Sequence, residues 1–196
     1  LLLFGPQVIV LNSTANEDNS ETRISIMGTR LATDIRRYIM AKCPQLAIPA
    51  DRSRISFIGH SAGSVIIRAA LVSPLLAVYK SKLHTFLSLS SPHLGNTYVP
   101  SAIVATGMWA LKRLRKTELL EELQLQDAPV PEECFMYKLS TDEVLGEFNY
   151  TILVSGHQDQ YVPLHSAQIH VPADAERDKR GGPALISMAA NLVGSM

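Results

Sequence analysis

Gly59, Ser61 and Gly63 stand at two-residue intervals in the run SFIGHSAGSVIIRAA, residues 56–70. A Gly-x-Ser-x-Gly pattern is weak by itself, because with glycine and serine each near 7% of residues chance places one in roughly fifteen chains of this length. Its neighbourhood gives it value. The apolar run RISFIG (54–59) leads in and the apolar, helix-forming run AGSVIIRAALV leads out, which is the strand–turn–helix context of a nucleophile elbow. Side chains two places either side of the serine would collide in so tight a turn, so glycine is expected at 59 and 63 for steric reasons. Ser61 is then expected above the C-terminal end of a strand and at the start of a helix. There the helix dipole and the N–H of Ala62 can stabilise an oxyanion. His60, next door, is expected to face away and pack.

A serine hydroxyl needs a base, and the base needs an orienting carboxylate. In hydrolases with this elbow the chain order is Ser, then Asp or Glu, then His. The segment ILVSGHQDQYVP (152–163) supplies an acid, Asp159, just after an apolar run; a turn aspartate is the other reading. Downstream of it stand His165 and His170. His165 is the candidate base if its loop doubles back on Asp159, and a packing or pocket-lining residue otherwise. His157 precedes the acid and breaks the expected order.

The elements that must position these groups follow from apolar patterning. QVIVL (7–11) reads as a strand buried on both faces. SETRISIMGTRLATDIRRYIMAK (20–42) has helical spacing, with Asp18 and Glu21 fitting a capping box and Pro44 ending the helix. Residues 54–59 form a second strand, and the apolar helix after Ser61, in which Arg68 is the lone charge, closes at Ser73-Pro74. HTFLSLSS (84–91) and NYTILVSG (149–156) are the third and fourth strands, and a last helix spans Pro183 to Val193. Strands alternating with helices predict an α/β fold: a doubly wound, mostly parallel sheet covered on both faces. The 57 residues from 92 to 148 are too many for a plain crossover, so 96–148 is expected to be a helical insertion within a single domain spanning 1–196. An ordinary crossover helix accounts for it equally well. If the stretch is a cap, Ile103, Met108, Trp109 and Leu111 would shield an acyl chain.

Composition limits the partners. Of 196 residues 46% are apolar and 18% charged, with zero net charge, which describes a globular chain and offers no field for nucleic acid. The basic run KRLRK (112–116) precedes Glu118, Glu121 and Glu122 and reads as a solvated helix face. Cys43 and Cys134 are isolated, giving neither a metal site nor a disulfide framework, and no cofactor or protein partner is implied. LLLFGP, at the start, is neither signal peptide nor membrane span. Cytoplasm is the default address, with peripheral membrane contact left open.

Four segments, ISFIGHSAGSVIIRAAL, HTFLSLSSPHLGNTY, ECFMYKLS and VSGHQDQYVPLHSAQI, together resemble the eukaryotic serine esterase, or lipase-like, family of α/β hydrolases. The resemblance runs from about residue 20 to 195. It implies hydrolysis of esters, those of lipids above all, with Ser61 corresponding to the nucleophile, Asp159 to the acid, and Ser91 and His93 to pocket-lining residues. Relatives carry a His-Gly loop upstream and a further strand with the histidine downstream. This sequence shows neither, so the sheet is expected to be incomplete on both sides.

Overall fold

A computed structural model describes residues 8–99 and 117–196. Three apolar runs become the strands β1 (Ile55–His60), β2 (Leu83–Leu89) and β3 (Tyr150–Val154), all parallel, in the order β1-β2-β3. In register, Phe57 lies beside Phe86 and Phe86 beside Thr151, while His60, Leu89 and Val154 close the C-terminal edge. The helices are α1 (Ile24–Lys42), α2 (Ala62–Leu71), α3 (Glu118–Leu123), α4 (Phe135–Ser140), α5 (Leu164–Gln168), α6 (Ala173–Arg177) and α7 (Gly182–Ser195). This is the α/β fold that the alternation predicts.

The apolar stripe of α1, with Ile24, Met27, Ala32, Ile35 and Ile39 buried, faces α2. Their backbones touch at Gly28, where a Cβ would lie 2.7 Å from Ala69 Cβ. With α1 on one side and β1 on the other, α2 buries all but a few of its side chains, which explains its nearly continuous apolarity. Phe86 sits at the centre of the core, its ring 5.4 Å from that of Phe148, which meets Phe57 edge-on at 6.1 Å.

Two expectations about the sheet are corrected. Residues 8–11 of the first expected strand form no strand, and Val8, Ile9 and Val10 are each about half exposed. The Tyr38 hydroxyl donates to the Val10 carbonyl at 2.9 Å instead of a neighbouring strand pairing with it. Among the described residues one face of the sheet is also open, with Ile58 71% exposed and Tyr150, Ile152 and Val154 exposed beside it. Apolar strands record what a face can bury, not that its cover is in place. Of the insertion, α3 and α4 are described; Ile103, Met108, Trp109, Leu111 and the basic run 112–116 lie outside the described residues.

The cap of α1 differs from the expected box as well. Arg23 is the N-cap and no side chain near it in sequence caps the helix. The carboxylate of Glu122, from α3, accepts the Ile24 N–H at 2.5 Å, and Glu118 takes Arg23 Nε at 3.1 Å. Glu122 is buried, and burial pushes its carboxyl up to about 7, against the pull of the Ile24 N–H. An acid whose pKa is raised on folding contributes stability that is full below its unfolded value and lost as pH rises through the folded one. Glu122→Gln keeps an acceptor and removes the titration. In urea titrations the native chain should lose about 1–2 kcal/mol more than the variant between pH 4.5 and 7.5, after allowing for solvent screening.

Candidate active site

The elbow forms where β1 runs into α2. Ser61 has φ 54° and ψ −133°, a backbone region close to one used almost only by glycine and costing about 1–3 kcal/mol. Its N–H extends the parallel ladder by donating to Leu89 O at 2.9 Å, while its hydroxyl forms no hydrogen bond among the described residues. Ala62, the first residue of α2, has an N–H with no intrahelical acceptor. The turn is tight on one side: a Cβ on Gly59 would lie 2.4 Å from Ser64 Oγ and 2.7 Å from Ser64 N and Cα. It is loose on the other. A Cβ on Gly63 would meet nothing within 4 Å, so the collision expected there does not occur; Gly63 has already entered the helix and its Cα–H points away from the strand.

Asp159 follows β3 and is half-buried, with Oδ1 accepting the N–H groups of Tyr161 (2.8 Å) and Val162 (3.0 Å). It therefore shapes its own turn. Because the three strands are parallel and β2 lies between β1 and β3, the elbow and the loop that carries Asp159 both leave the sheet at its C-terminal edge, from strands two ladder spacings, about 10 Å, apart.

The histidines are elsewhere. His165, in α5, is buried, its Nε2 has no hydrogen-bond partner among the described residues, and its ring stands 6.0 Å from that of His170. Burial, aided by repulsion from His170 and opposed by a backbone hydrogen bond at Thr97, pulls its pKa down to about 4. No hydrogen bond joins His165 to Asp159 among the described residues. His60, His157 and His170 are exposed.

Ser91 and His93 are buried behind the elbow and line none of the described cavities. The Ser91 hydroxyl donates to Ser64 Oγ at 2.7 Å, bracing the first turn of α2. His93 Nδ1 faces Arg68 Nη1 at 3.5 Å and Nε2 meets Ser88 Oγ at 2.8 Å. A guanidinium only donates, so Nδ1 carries the lone pair and Nε2 the proton. Burial first, then the Arg68 charge, holds this ring well below the usual histidine range and keeps it neutral. The Arg68–His93–Ser88 cluster is what sequence reasoning missed; its one signal is a single charge in an otherwise apolar helix.

No solved structure matches the chain. The family described as Putative serine esterase (DUF676) matches residues 3–169, a span that includes the elbow, the strand after it, Asp159 and His165. With most of its length matched, and with its serine on a strained strand-to-helix turn in a parallel α/β fold, the chain belongs to this serine esterase family.

Proposed function

We propose that the protein hydrolyses carboxylic esters, lipid esters above all, by a Ser-His-Asp route. Ser61 attacks the acyl carbonyl, the Ala62 N–H receives the oxyanion, and Asp159 orients the imidazole that takes the Ser61 proton. The observation that carries this reading is the backbone of Ser61, held at φ 54° with its hydroxyl unengaged among the described residues. Backbone strain kept at a serine in this position supports a chemical role for it. For His165 to serve as base its ring must leave Thr97 and His170 for Asp159, and pairing with that carboxylate would raise its pKa from about 4. Contact with a lipid surface, where such esters reside, belongs to the same reading.

A second reading, a binding domain without turnover, is favoured by one observation: among the described residues Asp159 hydrogen-bonds its own loop and no histidine. Fluorophosphonate labelling separates the two. Rapid labelling that disappears in Ser61→Ala, with ester hydrolysis falling about 10³-fold or more, is the expected result. A folded sample that does not label at Ser61 would leave the binding domain.

A further inference from the structure

A cavity of about 470 Å³ opens between the chain after β2, the turn after α3 and the start of α7, and neither Ser61 nor Asp159 lines it. Its size falls within the range of small-molecule sites. Asn96, Thr97 and Gln126 supply neutral polar groups, while Val99, Leu125 and Leu185 supply an apolar wall.

Two features set this cavity apart from an ordinary surface cleft. Among the described residues Asn96 Oδ1 and Thr97 Oγ1 have no hydrogen-bond partner, and both are shut off from water. An unpaired buried polar atom is costly, and turning either side chain toward the cavity would let a ligand hydroxyl pair with it. The backbone of two lining residues is also strained, Tyr98 at φ 52° and Leu125 at φ 53°. Leu125 ends α3 in a Schellman turn, its N–H donating to Glu122 O at 3.2 Å and that of Gln126 to Glu121 O at 2.9 Å. Glycine usually holds that position, and glycine there would remove an apolar side chain from the wall.

The lining also sets the charge of the occupant. Among the described residues no Lys, Arg or His side chain lines the cavity, which favours an uncharged occupant over an anion. Asp178 lines it, but its carboxylate accepts the Tyr98 hydroxyl at 2.7 Å and the Arg180 N–H at 2.8 Å. Burial and the hydrogen bond to Asp178 push the Tyr98 phenol up, so it stays a neutral donor. We propose that this cavity binds an uncharged hydroxylated ring, a sugar or similar polyol, with its hydroxyl rim on Asn96, Thr97 and Gln126 and an apolar face on Leu125 and Leu185.

Titration of the ¹⁵N-labelled chain with methyl α-glucopyranoside tests this, with inorganic phosphate and tetramethylammonium as charged controls. Saturable shifts at the amides of Asn96, Thr97, Gln124 and Gln126 with the glycoside alone are expected. Thr97→Val replaces the orphan oxygen by a methyl of the same shape, keeps the fold, and should weaken binding about tenfold. The proposal is overturned by the absence of saturable shifts up to the solubility limit of the glycoside. Equal response to either ion, or native affinity in Thr97→Val, would overturn it too.

Discussion

Gly59→Ala should destabilise the protein by about 2–3 kcal/mol and Gly63→Ala should stabilise it by about 0.5–1 kcal/mol, although the two glycines are equivalent in the sequence pattern. The added Cβ at 59 falls 2.4 Å from Ser64 Oγ and 2.7 Å from Ser64 backbone atoms. The hydroxyl could rotate away, but the backbone of α2 would have to move. That movement is opposed on the far side, where α2 already touches α1 at Gly28 and Ala69. At 63 nothing lies within 4 Å, and alanine is the better helix former in the first turn of α2. Urea denaturation of the two variants measures both signs. The same shift of α2 would carry Ser61 with it, so fluorophosphonate labelling should slow in Gly59→Ala and not in Gly63→Ala. Equal effects at the two positions would show that the elbow is not packed as described.

What could be read from the sequence was what local patterning encodes. The runs at 54–59, 84–91 and 149–156 stand out because apolar strands are bounded by polar or turn-forming residues, and all three are strands. Helices α1, α2 and α7 follow from apolar spacing and proline punctuation, with ends differing by a few residues. Placing the elbow and the loop that carries Asp159 at one edge required only that the strands be parallel. The rest depends on partners distant in sequence. The α1 cap comes from Glu122, 98 residues after Ile24, and no side chain of the closer Asp18–Glu21 pair caps the helix. Residues 8–11 of the strand expected at 7–11 form none, because an apolar run becomes a strand only by pairing with a ladder edge, and none pairs with them among the described residues. His93 belongs to a motif that reads as a pocket loop, yet its surroundings are set by Arg68 from another element. Leu125 takes a left-handed backbone in a turn with no glycine to announce it.

Arg68→Ala should cost about 3–5 kcal/mol, and Arg68→Met about 1–2 kcal/mol, though each removes the same charge. Arg68 is 2% exposed; its Nη2 donates to Leu139 O at 3.0 Å and its Nη1 to His93 O at 3.4 Å. It joins the end of α4 to the loop after β2 from the middle of α2, and no described carboxylate forms an ion pair with it. Burial draws the guanidinium down to about 10, with the Asp142 charge partly offsetting it, so it stays charged at neutral pH and its desolvation is met mainly by carbonyl oxygens. Alanine leaves a cavity and two carbonyls short of a donor. Methionine fills much of the volume and removes the buried charge, leaving the carbonyls as the main loss. His93 gives a readout that packing alone would not move. Its pKa is depressed on folding, so its contribution to stability is present above about 6.5 and is lost as pH falls. Removing the Arg68 charge leaves burial as the remaining cause, so the His93 pKa should rise in Arg68→Met while staying below its ordinary value. The acid-side loss of stability should then become shallower. NMR titration of the His93 ring and urea melts from pH 7 to 4 follow the two effects together. An unchanged His93 in a folded Arg68→Met protein would mean that the guanidinium does not act on that ring, and that its part in the site is packing alone.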